Sequence, residues 1–87
     1  MKAYVLIKTL AGTEDAVLRD LHEIPFTEEA HKVFGPFDIV AEIRGRDMEA
    51  VVDIVTSRIR KVNGVSDTHT LLVVDSELDI TQSSLAS

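Results

Sequence analysis

The 87-residue sequence predicts a single α+β domain in which two helices cover one face of a four-stranded antiparallel sheet. Two segments rich in β-branched residues, one near each end of the chain, enclose two stretches that have the apolar spacing of a helix. Turn-forming residues separate the segments, and their order is β-α-β-β-α-β. With right-handed crossovers this order gives the spatial strand order 4-1-3-2, which is the ferredoxin-like arrangement.

The first half of the chain supplies two strands and a helix. Lys2 to Thr9 is β-branched and aromatic and predicts the first strand. Thr13 is expected to cap a helix that ends at Pro25. The apolar stripe of this helix is Val17, Leu21 and Ile24. Thr27 to Phe34 alternates weakly and carries several charges, which is typical of an exposed edge strand.

The second half repeats the pattern after a turn at Gly35-Pro36. Asp38 to Arg44 predicts a central strand, and Asp47 is expected to cap the second helix. The stripe of that helix is Met48, Val51, Val52, Val55, Ile59 and Val62. Val65 to Asp75 predicts the last strand. The domain is therefore assigned to residues 1–75, and the Ser-rich residues 76–87 are expected to form a flexible C-terminal tail.

The predicted sheet is apolar on both faces, whereas the two helices can cover only one of them. We therefore expect two copies to dimerise sheet against sheet as a dimeric α+β barrel. The residues assigned to this interface are Tyr4, Leu6, Val40, Leu72 and Val74. The alternative is that the C-terminal tail folds back over the open face.

Composition and charge exclude several classes of function. The chain has 9 Lys and Arg against 15 Asp and Glu, a net charge of −6, which argues against direct binding of DNA or RNA phosphates. The absence of Cys excludes disulfide scaffolds, thiolate zinc sites and Cys nucleophiles. No apolar run is long enough for a membrane span or a signal peptide, so a cytoplasmic protein without membrane partners is expected.

No catalytic residue, metal site or cofactor is predicted. His22, His31 and His69 follow none of the metal-binding spacings, and the second and fourth strands lie at opposite edges of the predicted sheet. Acidic pairs are explained by helix N-termini and by edge-strand protection. No nucleophile elbow, phosphate-binding loop or dinucleotide-binding motif is present.

Two segments carry more polar and aromatic groups than a turn requires: residues 33–38 and residues 64–70. Together they offer donors for a carboxylate, an acceptor for an ammonium group and apolar surface, which a zwitterionic amino acid needs. The candidate ligand-binding residues are Phe34, Gly35, Pro36, Phe37, Asp38, Thr68, His69 and Thr70. The alternative is a turn in which Asp38 bonds nearby backbone, followed by threonines that suit a strand.

Residues 2 to about 75 resemble the effector-binding domain of Lrp/AsnC transcription regulators. The resemblance is carried by AYVLIKTLAGTEDAVLRDL, KVFGPFDIVAEIRGRD and IRKVNGVSDTHTLLVV, in the family's order. It implies a sheet-to-sheet dimer, rings from tetramer to decamer, and small effectors, usually amino acids, bound between dimers. Gly35, Phe37 and Asp38 match the family's effector turn, and Thr68 and Thr70 match the threonines of its last strand.

The chain departs from family regulators because it opens on the first strand, where they carry a helix-turn-helix domain. The resemblance therefore implies a stand-alone sensing domain that acts by co-assembly with full-length relatives or on another partner. Two alternatives stay open. One is a small dimeric α+β-barrel monooxygenase or isomerase, which the aliphatic inward positions of the helices disfavour. The other is an assembly module without a ligand.

Overall fold

The computed structural model describes residues 1–74, and its elements follow the predicted order. They are β1 (Lys2–Thr9), α1 (Glu14–His22), β2 (Thr27–Lys32), β3 (Ile39–Arg44), α2 (Met48–Ser57), a 3₁₀ turn (Ile59–Lys61) and β4 (Val65–Leu72). The predicted tail, residues 76–87, lies outside the described residues.

The four strands form one antiparallel sheet in the order β2-β3-β1-β4, which confirms the predicted topology. The central strands β1 and β3 align Ala3 with Ile43 and Ile7 with Ile39. β4 pairs with the other side of β1, and its register shifts between Lys8 and Thr9, where β1 ends. β2 and β4 are therefore the two edges of the sheet.

The hydrophobic core lies between the helices and one face of this sheet. Every second residue of the central strands is fully buried: Ala3, Val5, Ile7, Ile39, Ala41 and Ile43. The helical side contributes Val17, Leu21, Val51, Ile54, Val55 and Ile59. No polar or charged side chain within residues 1–74 is buried. Burial of these aliphatic groups, each worth about 1.5–3 kcal/mol, stabilises the fold.

The helix ends confirm one predicted cap and correct two details. Asp47 accepts a hydrogen bond from the Ala50 N–H at 2.9 Å, so it caps α2 as predicted. Thr13 lies at the N-cap of α1, but its hydroxyl donates to the Leu10 carbonyl at 2.6 Å instead of accepting from the helix. The apolar stripe predicted one helix as far as Val62, whereas α2 stops at Ser57 because the next residue leaves helical geometry.

Both edge strands are shorter than predicted. β2 ends at Lys32, and the Val33 N–H then donates to the Asp38 carbonyl at 2.9 Å, which closes a hairpin around residues 33–38. β4 ends at Leu72, although the Val73 N–H still donates to the Lys2 carbonyl at 3.0 Å.

The pairing of β1 with β4 shows which of the predicted interface residues lie on the open face. Tyr4, Leu6 and Val40 alternate with the buried residues and lie on the open face, as expected. Leu72, however, pairs with Ala3 and packs against the core on the helix-covered side. Leu71 pairs with Tyr4 and faces the open side, because successive side chains of a strand point in opposite directions. Val74 is exposed beyond the end of β4.

Candidate ligand-binding site

The β2–β3 hairpin loop, residues 33–38, projects from one end of the sheet. Phe34 is fully exposed at its tip. Gly35 has φ +151°, a backbone conformation that L side chains rarely adopt, so glycine suits this position. The Lys8 ammonium donates to the Pro36 carbonyl at 3.2 Å and ties the loop to β1. These contacts hold an unpaired aromatic side chain out into solvent.

Asp38 anchors the base of this loop. Its Oδ2 accepts from the Thr9 N–H at 2.8 Å and lies 3.2 Å from the Thr9 hydroxyl. The Asp38 N–H donates to the Ile7 carbonyl at 2.9 Å. The carboxylate therefore bonds backbone, but on another strand and not within its own turn, as the alternative drawn from the sequence had expected.

Phe37 and His69 bring the two predicted segments into contact at the end of the open face. Their ring centroids are 5.1 Å apart and the rings meet edge to face at 66°. His69 pairs with Leu6 on that face, and its Nε2 lies 3.4 Å from Asp67 Oδ2. This aromatic pair does not include the two candidate threonines.

Thr68 and Thr70 lie on the other side of the sheet, since they pair with Ile7 and Val5, whose side chains are buried under the helices. There, between β4 and α2, they line a groove of about 300 Å³. We call this the α2–β4 groove; its lining residues are Val52, Val55, Thr56, Arg60, Thr68, Thr70 and Leu72.

The chemistry of the α2–β4 groove combines one cation with several hydroxyls over an apolar floor. Arg60 supplies a guanidinium, which binds carboxylates in a bidentate manner. The Thr56 hydroxyl donates to the Val52 carbonyl at 2.9 Å and keeps its acceptor lone pairs. A cavity of about 110 Å³ adjoins the groove and shares Arg60 and Thr68 with it. Asp67 also lines this cavity, but its carboxylate lies beside His69.

The structure thus divides the predicted site among three places: the hairpin tip, the open face and the α2–β4 groove. Within one subunit it does not gather the eight candidate residues around a single cavity. Arg60 and Thr56 also line the α2–β4 groove but are not among the residues predicted from the sequence. In the sequence, Arg60 is one of several cations near the predicted end of the second helix, which the helix dipole already explains.

Neither a cluster of metal-binding side chains nor a membrane-spanning helix is found among the described residues. Across residues 1–74, His, Asp and Glu side chains nowhere gather in a group of three that could hold a metal ion. In the same part of the chain, no helix is long and apolar enough to cross a membrane.

An α+β domain with an aliphatic interior and a surface groove that combines a guanidinium and hydroxyls with an apolar floor is typical of small ligand-binding domains. The sequence identifies the family within that class. The chain belongs to the Lrp/AsnC ligand-binding domain family, whose sequence model matches residues 2–82.

Named relatives agree with this assignment. The HTH-type transcriptional regulator FL11 of Pyrococcus horikoshii is 29% identical over 82 residues, which cover 94% of this chain and 54% of the regulator. The chain spans about half the length of the curated relatives it matches. The family and these relatives are those of transcription regulators, not of barrel enzymes.

Solved structures show the same fold. A protein from Thermus thermophilus is 37% identical with a TM-score of 0.80, and the match covers 84% of this chain and 91% of that one. The feast or famine regulatory protein from M. tuberculosis, complexed with L-methionine, is 25% identical with a TM-score of 0.67. That match covers 90% of this chain and 54% of the other.

Proposed function

We propose that this chain is an amino-acid-sensing domain that binds a zwitterion with an apolar side chain in the α2–β4 groove and couples binding to self-assembly. The observation that carries the proposal is the combination of Arg60, the threonine hydroxyls and an aliphatic floor in one groove. The M. tuberculosis relative solved with L-methionine supports an apolar amino acid as the ligand.

Each part of an amino acid has a complementary group at this place. The α-carboxylate pairs with the Arg60 guanidinium and the hydroxyls of Thr68 and Thr70. The apolar side chain lies on the floor formed by Val52, Val55 and Leu72. The ammonium group is directed to the Thr56 hydroxyl, which keeps its acceptor lone pairs. A volume of about 300 Å³ accommodates one amino acid.

The groove is a surface feature, so a ligand in it stays partly in water unless another copy covers it. We propose that the hairpin loop of a neighbouring copy supplies this cover, with Phe34 and Phe37 as its apolar surface. In this arrangement the two halves of the predicted site meet only between subunits. A ligand held there favours the assembled state, because a ligand shifts an equilibrium toward the state that binds it better.

Pairs of subunits are proposed to form through the open face of the sheet. Its apolar centre consists of Tyr4, Leu6, Val40 and Leu71. Stacking two such faces removes these side chains from water. Further contacts between dimers, including those at the groove, then build rings from tetramer to decamer.

The route to transcription is proposed to run through other proteins. With 9 basic and 15 acidic side chains, these residues are poorly suited to contact DNA phosphates. Co-assembly with full-length Lrp/AsnC relatives gives the sensing domain access to a DNA-reading domain. Native mass spectrometry of the chain mixed with such a regulator tests this step, and exclusively separate assemblies overturn it.

Calorimetric titration with the common amino acids, together with native mass spectrometry, tests the sensing proposal. An apolar amino acid is expected to bind and to shift the assembly distribution. Arg60→Gln is expected to weaken binding about tenfold, since a charge-assisted hydrogen bond is lost. Arg19→Gln, on the exposed surface of α1, is the matched control and is expected to leave binding unchanged.

Three results distinguish the alternatives. Absence of binding by every amino acid, with an unchanged oligomer, favours a ligand-free assembly module and overturns the proposal. If Arg60→Gln binds the amino acid as tightly as the wild type does, the α2–β4 groove is not the binding site. If an amino acid binds but the distribution of oligomers stays the same, the proposed coupling between binding and self-assembly is wrong.

A further inference from the structure

A second cavity lies on the other side of α2 from the groove. Its volume is about 360 Å³, and it lies between α2, the end of β3 and the chain that enters β2. Its lining residues are Phe26, Arg44, Gly45, Arg46, Ala50, Asp53 and Ile54. Ala50 and Ile54 are one helical turn apart, so they share one side of α2, whereas Val52 and Thr56 line the groove on the other.

The floor of this cavity is apolar and one of its walls is an aromatic ring. Ile54 is buried at the base, and Phe26 keeps 44% of its surface exposed beside it. A partly exposed ring next to a concave aliphatic surface is suited to stacking against the apolar part of a ligand.

Arg44 and Arg46 line the same cavity, although the chain as a whole is acidic. Arg44 Nε lies 3.2 Å from Glu28 Oε1, so this guanidinium is already held in place by a carboxylate. Arg46 is almost fully exposed and forms an ion pair with Asp47, whose Oδ2 lies 3.8 Å from its Nε, which is too long for a hydrogen bond. The N–H donors of Arg46 are therefore available to a ligand that competes with Asp47.

We propose that this cavity is a second ligand site, specific for a small carboxylate with an aromatic or branched apolar tail. The carboxylate pairs with Arg46, Arg44 stays paired with Glu28, and the tail lies against Phe26 and Ile54. Asp53 is the other charged group of the lining; its Oδ1 accepts a hydrogen bond from the Ser57 hydroxyl at 3.0 Å. Asp53 allows the ligand to carry an amino group as well. A ligand that has an amino group but no carboxylate is not expected to bind, because it cannot pair with Arg46.

The test uses three aromatic probes that differ only in their charged groups: 3-phenylpropionate, L-phenylalanine and phenethylamine. Amide resonances of the whole chain are followed by heteronuclear NMR during each titration. The two carboxylates are expected to shift the amides of Gly45, Arg46 and Asp53 with a Kd of about 1 mM, in keeping with the efficiency of small ligands. Phenethylamine is expected to leave these amides unchanged.

Two variants separate this site from the groove. Arg46→Gln is expected to weaken 3-phenylpropionate binding about fivefold or more, because its guanidinium is lost. Arg60→Gln, on the other side of α2, is the matched control and is expected to leave the cavity amides responding as in the wild type. Because Thr68 and Thr70 report on the groove, failure at one site is distinguishable from failure at the other.

Five outcomes overturn the proposal. The first four are no shift of the cavity amides at about 10 mM probe, equal binding of phenethylamine, undiminished binding by Arg46→Gln, and shifts confined to Thr68 and Thr70. The fifth is broadening of the cavity amides with protein concentration alone, which identifies a second copy of the chain as the occupant of the cavity.

Discussion

Replacing Leu71 by alanine is expected to weaken the proposed dimer without unfolding the subunit. Leu71 lies on the open face opposite Tyr4, whereas Leu72, its neighbour in the chain, packs against the core. The two leucines are therefore a matched pair that differs in the face of the sheet each one occupies.

The magnitude follows from the exposure of this side chain. Leu71 keeps 55% of its surface exposed in the single subunit. Stacking a second sheet on it can therefore recover about half of the ~2 kcal/mol that complete burial of a leucine supplies. A twofold dimer contains the residue twice, so Leu71→Ala removes about 2 kcal/mol per dimer. The dissociation constant is expected to rise about 30-fold.

Sedimentation velocity across a concentration series measures this constant, and urea unfolding measures stability in parallel. Leu72→Ala is expected to lower the free energy of unfolding by about 1–3 kcal/mol while the folded subunits dimerise as before. If Leu71→Ala changes the dissociation constant by less than about threefold, the sheet-to-sheet interface is refuted. A larger effect of Leu72→Ala on dimerisation refutes the assignment of faces.

Three further predictions concern the rest of the domain. Gly64→Ala is expected to lower the free energy of unfolding in urea by about 2–4 kcal/mol. Gly64 has φ +101°, and the new Cβ would lie 2.8 Å from a hydroxyl at the start of α1. Gly12→Ala, at φ +84° in open space, is expected to cost about 1–2 kcal/mol, and equal losses contradict the steric contribution. Asp38→Ala leaves the backbone N–H at the end of β1 unpaired, so unfolding free energy is expected to fall by about 1–3 kcal/mol; an unchanged urea midpoint contradicts this anchor. The Lys32 ammonium donates to the Asp15 carboxylate at 2.7 Å and lowers its pKa, while Asp15 raises the pKa of Lys32. The pair therefore stabilises the fold between pH 3.8 and 10.5, the ordinary pKa values of the two groups. The difference in urea midpoint between wild type and Lys32→Gln is expected to vanish as the pH falls through the lowered pKa of Asp15 or rises through the raised pKa of Lys32. A difference that stays constant over the whole pH range contradicts the ion pair.

Local patterns in the sequence were sufficient for the topology. The β-branched and aromatic segment Lys2 to Thr9 predicted the first strand, and the structure buries its Ala3, Val5 and Ile7 completely. Asp47 predicted the start of α2 because a carboxylate cap acts on the adjacent backbone. Chain-order rules then fixed the strand order, since few connections are sterically available.

The candidate site was predicted only in part. Thr68 and Thr70 do line a groove, but Arg60 and Thr56, which give that groove its polar chemistry, were not recognised. Their contribution depends on where α2 stops and how the 3₁₀ turn returns the chain toward β4. The end of a helix is weakly encoded when the apolar stripe continues beyond it, as it does here at Ile59 and Val62.

The sequence by itself determined the order of the elements, the strand order and the family, because these depend on residues close together in the chain. Only the tertiary structure decided which of Leu71 and Leu72 faces the open side and which partner holds Asp38. Both depend on pairing between distant strands, and a shift of one residue in register exchanges the two faces of a strand. Thr9, the partner of Asp38, lies 29 residues away in the chain and 2.8 Å away in space.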